Sequence, residues 1–190
     1  MNVLGVDGSG RKNGNTAALV RAFLEGAAEA GAETAFLPLA DKTLRGCAAC
    51  KACKAEPAKV CVIQDDMQPI YERLPEVDVL LLASPVYLDH ITAQLMAFIQ
   101  RTYCYISPSL DNYWPREGVR FAAGITYGAG DPDMYNYVLD WMSARMEFYF
   151  GIPTVATFKV PGTSHERPVG PDHPEVRRAR AAGRALLEAR

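Results

Sequence analysis

"NVLGVDGSGRKNGNTAALVRAFLEGAAEAG", residues 2–31, is the stretch that decides the fold of this 190-residue chain. "NVLGVDGS" is a short apolar run ending in Gly8 and Ser9, the pattern of a buried strand that enters a turn. From Asn15 onward the period lengthens, so that Ala18, Leu19, Ala22 and Phe23 share one helical stripe and Gly31 stands as its stop. A strand, a glycine-rich loop and a helix in that order form the opening unit of a wound α/β sheet.

The alternation continues to the end of the chain. "ETAFLPL" (33–39) reads as a second strand, and "DDMQPIYERL" (65–74) as a short helix. "VDVLLLASPVY" (77–87) is apolar apart from Asp78 and Ser84, the pattern of a strand covered on both faces. A helix over "ITAQLMAFIQRTYCY" (91–105), a strand within "VRFAAGITYG" (119–128) and a long helix over "PDMYNYVLDWMSARMEFYFG" (132–151) follow. "IPTVATFKV" (152–160) supplies a fifth strand, and a proline-rich loop leads to a last helix in "EVRRARAAGRALLEAR" (175–190). Asp172 or His173 is placed to cap that helix, and Pro174 suits its first turn. Five strands alternating with helices predict a doubly wound parallel sheet, and no linker composition interrupts them, so one domain spanning 1–190 is expected.

Composition narrows the function classes. With 49% hydrophobic and 22% charged residues the chain has enough apolar surface for a core without covalent staples. A net charge of -2 with scattered basic residues gives no footprint for nucleic acid. The basic last helix has the spacing of a solvated face. No apolar run approaches the roughly 20 residues of a membrane helix, and the N-terminus lacks a secretory pattern. The expectation is a cytoplasmic protein in a reducing compartment, where disulfides are disfavoured.

In such sheets ligands bind beyond the carboxyl ends of the strands, which singles out three loops. "GSGRKNGNT" (8–16) joins the first strand to its helix, and free N–H groups at that helix start, with Ser9, Arg11, Gly14, Asn15 and Thr16, suit a phosphate. It is not a P-loop: five residues separate Gly8 from Gly14, and Asn15 stands where the lysine belongs. The dinucleotide fingerprint also fails, by one residue. The other two loops, "ASPVYLDH" with Pro85, Val86 and Tyr87 and "TYGAGD" with Tyr127 and Gly128, offer apolar and aromatic walls for a flat ring. Phosphate at one end and a planar ring at the other is the shape of flavin mononucleotide.

The second feature is "CAACKACKAEPAKVC" (47–61), which holds four of the chain's five cysteines. Zinc usually takes two pairs separated by a dozen or more residues. The compact run Cys47, Cys50, Cys53 with Cys61 on an arm containing Pro57 has iron–sulfur spacing, although zinc and unligated or oxidised thiols remain alternatives. Lys51, Lys54 and Lys59 read as solvated lysines of an exposed loop. Cys104 reads as a core residue, His90 as a capping or surface histidine rather than a proton donor, and His165 and His173 lack metal-ligand spacing.

These motifs resemble the flavodoxin-like NAD(P)H-dependent FMN reductases, and among them the iron–sulfur flavoproteins. The resemblance is carried by "GSGRKNGNT", "CAACKACKAEPAKVCVIQDDM", "SPVY" and "AFIQRT", over roughly the first 130 residues. Gly10 departs from the family, which usually has proline there. The resemblance implies a flavodoxin-like sheet in the order 2-1-3-4-5, with a cysteine-rich insertion at 46–62 after the second strand. It also implies FMN held without a covalent bond at the three loops, and a [4Fe-4S] cluster on Cys47, Cys50, Cys53 and Cys61. Homodimers or homotetramers are implied as well, and the aromatic helix at 132–151 suits either a subunit contact or an ordinary core. In that chemistry the flavin carries the reaction and no catalytic side chain is needed. The partners are a ferredoxin-like donor or NAD(P)H and a small acceptor such as oxygen, peroxide or a quinone. A cluster-free flavin or quinone reductase, and a cofactor-free binding module, are the competing readings.

Overall fold

The computed structural model describes residues 1–55, 60–106 and 114–186. Five strands, β1 (Asn2–Asp7), β2 (Glu33–Pro38), β3 (Val79–Pro85), β4 (Arg120–Thr126) and β5 (Thr154–Val160), form one sheet. Their order is β2-β1-β3-β4-β5, with every pair parallel. The helices are α1 (Asn15–Glu29), α2 (Gln68–Arg73), α3 (Ala93–Arg101), α4 (Asn136–Phe150) and α5 (Pro174–Ala185). This is the flavodoxin-like arrangement expected from the sequence.

Alternation along the central strands explains the two layers. Leu80 and Leu82 of β3 join Phe98 of α3 and Val138 and Met142 of α4 in one core. Val79, Leu81 and Ala83 point the other way, onto Leu19, Val20 and Phe23 of α1 and Ala179 of α5. α4 buries Val138, Leu139, Met142, Met146 and Phe150 as a stripe, so its apolar content is first of all a core face, while Tyr137 and Phe148 remain exposed.

Helix boundaries differ from the sequence expectation where local hydrogen bonds intervene. α2 starts only at Gln68, because the Asp65 carboxylate accepts the Met67 N–H at 3.0 Å in a turn and Pro69 then fits the first helical turn. α3 starts after Thr92, whose hydroxyl accepts the Leu95 N–H, and Thr102–Tyr105 tighten into a 3₁₀ turn. α4 begins at Asn136 rather than Pro132 and stops at Gly151, where φ is 64°. His173, not Asp172, caps α5, its Nδ1 accepting the Glu175 N–H at 3.2 Å. The end of the expected last helix, 187–190, lies outside the described residues. Two of α5's basic residues, Arg180 and Arg184, pair with Glu29 of α1, and these contacts hold its carboxyl down to about 2.

Register sets up the site. Asp7 lies beside Pro38 and Ala83, Pro85 beside Thr126, and Thr126 beside Val160. The loops after β1, β3, β4 and β5 therefore leave one edge of the sheet, together with the cysteine segment that follows β2.

Candidate functional site

The ten residues singled out as cofactor ligands line one cavity of about 280 Å³ at this edge: Ser9, Arg11, Gly14, Asn15, Thr16, Pro85, Val86, Tyr87, Tyr127 and Gly128. A larger apolar cavity of about 460 Å³ opens beside Cys47, but it includes none of the three loops.

One end of the smaller cavity is a helix terminus. Gly14 is the N-cap of α1 and offers no capping side chain, and the first turn of α1 carries no acidic residue. The N–H groups there are open to an anion. The loop in front is fixed from beneath. Gly8 N–H donates to Ala83 O at 2.8 Å, and the Thr92 hydroxyl donates to Gly8 O at 2.6 Å. A Cβ on Gly8 would lie 2.8 Å from Leu95 Cβ and 3.0 Å from Ala83 O, so only glycine permits this approach. Gly10 is the opposite case, since a Cβ there meets nothing nearer than Gln94 at 3.9 Å. The Ser9 hydroxyl accepts the Arg11 N–H at 3.0 Å, and Thr16 and Thr126 share a hydroxyl hydrogen bond of 2.8 Å.

Asp7, unremarked in the sequence, lies under this loop with no exposed surface. Its Oδ1 accepts the Ser9 N–H at 2.9 Å, while Oδ2 has no partner among the described residues. Burial pushes its carboxyl up to about 6, against the pull of the Ser9 amide and the Arg21 charge.

The ring end is walled by Pro85, Val86 and Tyr87. Tyr87 and His90 pair through their backbones around a turn in which Leu88 (φ 47°) and Asp89 (φ 62°) are left-handed. His90 Nδ1 accepts the Ile91 N–H at 2.9 Å and the ring packs on Trp141, so this histidine caps its own turn. Tyr127 is buried, edge-on to Tyr135, with its hydroxyl on Pro132 O at 3.0 Å. It is a fixed wall rather than a free stacking face, and burial raises its phenol.

The proline-rich loop, which the sequence leaves free to fold over its own site or to reach a neighbour's, forms a strap on its own chain. Thr163, Ser164, His165 and Glu166, from the proline-rich loop, also line the cavity. Asn15 holds them: its Nδ2 donates to Ser164 O at 3.1 Å and its Oδ1 accepts the Val169 N–H at 2.9 Å. With both amide atoms engaged, the Asn15 side chain fastens the strap, and only its backbone faces an anion. The proline and glycine pattern marked a loop, but nothing in it revealed a partner some 150 residues away. Glu166 is held low by the Ser164 hydroxyl, its own backbone, and the nearby charges of His165 and Arg11.

The cysteine segment is less assembled. All five cysteines are free thiols, with Cys47 and Cys50 exposed, Cys53 half-buried and Cys61 buried. Ala49 (φ 51°) and Lys51 (φ 58°) are left-handed, and the Ala49 N–H donates to Cys47 Sγ at 3.5 Å, a turn that offers amides to sulfur. Four thiols within fifteen residues fit a soft metal or cluster in donor chemistry. Among the described residues, however, no three His, Cys, Asp or Glu side chains stand together as a metal-binding group. Burial raises the Cys53 thiol, against the nearby Lys54 charge. Lys54 is not solvated as its loop position suggests: its Nζ donates to Tyr103 O at 2.8 Å, to Cys104 O at 3.0 Å and to Ile106 O. Cys104 is a core thiol whose Sγ lies 3.4 Å from Arg101 O, and burial pushes it up to about 11. Pro57 and Lys59 lie outside the described residues. None of the described helices is long and apolar enough to cross a membrane.

A flavodoxin-like sheet whose carboxyl edge carries an open helix N-terminus opposite an apolar turn defines a flavin-nucleotide-binding class. Comparison with known proteins narrows it. Residues 1–161 match the family described as NADPH-dependent FMN reductase, and the chain belongs to that family. An iron–sulfur flavoprotein of Methanocaldococcus jannaschii is 44% identical over 102 residues, covering 54% of this chain and 52% of that protein. One from Methanosarcina thermophila is 33% identical over 144 residues, covering 75% and 73%. The match thus spans about half of the first relative's length. Among solved structures, an NAD(P)H:quinone oxidoreductase from Methanothermobacter marburgensis superposes with a TM-score of 0.74 at 20% identity, over 98% of each chain, a likeness of fold.

Proposed function

We propose that FMN occupies the cavity at the carboxyl edge and that Cys47, Cys50, Cys53 and Cys61 hold a [4Fe-4S] cluster, making the chain an electron relay between the two. The observation that carries the flavin half is convergence: three loops spread over some 120 residues of sequence meet in one cavity of about 280 Å³, polar at the α1 terminus and apolar at Pro85–Tyr87. The first-turn amides of α1 with Ser9, Arg11 and Thr16 hold the phosphate. Pro85, Val86 and Tyr87 exclude water from one ring face, and the strap closes the mouth. Bound flavin supplies acceptance of a hydride and release of single electrons, which the protein tunes by position and electrostatics.

The cluster half rests on four free thiols within one fifteen-residue segment and on relatives named iron–sulfur flavoproteins. Electrons enter from NAD(P)H or a ferredoxin-like donor and leave to a small acceptor. The same residues form a single FMN-binding unit, 1–190, working in a reducing cytoplasm as a homodimer or homotetramer. A second reading, an NAD(P)H-dependent flavin or quinone reductase without a cluster, is favoured by the lack of any assembled group of three ligands among the described residues.

Purification without air decides between them by absorption spectrum and iron content. Flavin bands over a broad brown background with about four irons per chain support the relay. Flavin bands without iron leave the reductase, and a colourless chain that takes up no added FMN sinks both. Thr16→Val loses the hydroxyl pair with Thr126 and should weaken FMN binding by about tenfold, read by fluorescence titration.

A further inference from the structure

One buried cation is unused by the flavin site. Arg101, at the end of α3, is only 1% exposed. Its Nη1 donates to Asp65 Oδ2 at 2.5 Å and to Arg45 O at 3.0 Å, and its Nη2 donates to Ile63 O at 3.1 Å. Arg45 stands two residues before Cys47, and Ile63 two residues after Cys61. One guanidinium thus grips both ends of the cysteine segment. Asp65 completes the base, since Oδ2 also accepts the Arg45 N–H at 2.9 Å. Gln68 Nε2 reinforces it on Cys61 O at 2.8 Å and Ile63 O at 2.7 Å.

The pair is almost wholly desolvated, with side-chain exposures of 0% for Arg101 and 3% for Asp65. Burying two charges is costly, and apolar replacements of such pairs are often neutral or stabilising, so stability alone does not account for this one. Arg101 Nε has no hydrogen-bond partner among the described residues. The guanidinium is hydrogen-bonded to carbonyls two residues from Cys47 and from Cys61, which places the charge at the ligand loop. A cluster on four thiolates is net negative, and a nearby buried cation favours its reduced, more negative state.

We propose that Arg101 is a positioning residue for the cysteine segment: it clasps both ends of the ligand loop, and its buried charge raises the reduction potential of the cluster bound there. The clasp stands on the contacts above, whereas the effect on potential rests on the cluster reading.

Two measurements on the full chain separate these. In iron-free, reduced protein, maleimide labelling of Cys61 followed by mass spectrometry should accelerate about tenfold or more in Arg101→Gln through local opening, and much less in Arg101→Lys. Unchanged protection of Cys61 overturns the clasp. In reconstituted protein, an EPR-monitored titration should give Arg101→Gln a more negative cluster potential than wild type, with Arg101→Lys nearer wild type. Equal potentials at equal iron content overturn the electrostatic role. Wild type that takes up no iron overturns the cluster reading and the electrostatic role with it, while labelling still decides the clasp. Should Arg101→Gln fail to fold, Asp65→Asn carries the labelling readout: faster labelling of Cys61 supports the clasp, and unchanged protection overturns it.

Discussion

The flavin corner and the cysteine segment leave the same edge of the sheet, yet they are held by opposite means. The corner is fixed throughout by short contacts from strand ends and helix starts: Gly8 on Ala83, Thr92 on Gly8, Thr16 on Thr126. The cysteine segment is fixed at its base by Arg101 and Asp65 and tethered along its length by Lys54, while Cys47 and Cys50 stand exposed. The difference teaches where the binding energy of the proposed cofactors would go. A prebuilt corner would spend little of it on ordering the chain, whereas a loop with dispersed ligands would use metal binding to finish its own fold.

The hardest way to break the comparison is Asp65→Ala. It leaves Arg101 buried and uncompensated, and should cost about 3–5 kcal/mol in urea unfolding and release iron while FMN affinity stays near wild type. Loss of both cofactors together would show that the two regions are one unit.

Asp7→Asn sharpens the corner's side. A buried acid lifted to about 6 from 3.8 binds its proton more tightly folded than unfolded, so it subtracts stability as pH rises from about 4 to about 6. Asn keeps the acceptor for Ser9 N–H and removes the charge. The variant should therefore exceed wild type by up to about 3 kcal/mol at pH 7–8, with the gap closing below pH 4. A gap that is constant with pH would contradict the buried charge.

Gly8→Val should cost about 1–3 kcal/mol by overpacking Leu95 and Ala83, and should lower FMN affinity with iron content unchanged. The smallest effect is at Gly10, where a Cβ meets open space: Gly10→Ala should leave FMN binding intact and raise stability by about 0.4–1 kcal/mol in thermal unfolding.

The strands and ten of the residues that line the cavity follow from local signals, because apolar runs, glycines and helix starts act on their near neighbours, whereas the strand order came with the family resemblance. What stayed illegible depends on distant partners. Asn15 looks like a phosphate ligand until Ser164 and Val169 take both its amide atoms. Lys54 looks solvated until the carbonyls of Tyr103 and Cys104 surround it. Arg101 ends a helix as any surface arginine does, and only the return of the chain at Ile63 and Asp65 buries it. The starts of α2 and α4 shifted for a related reason, side chains before them forming turns that periodicity does not register.

The fastening of Asn15 to Ser164 and Val169 has a consequence for the order of events during synthesis. A nascent chain emerges from its N-terminus at about 5–20 residues per second, so the opening loop is exposed well before its latch is made. Vitamin-derived cofactor met by a ribosome-bound fragment would find the doorway without its bolt. Retention of the nucleotide should then begin only after Val169 has cleared the exit tunnel.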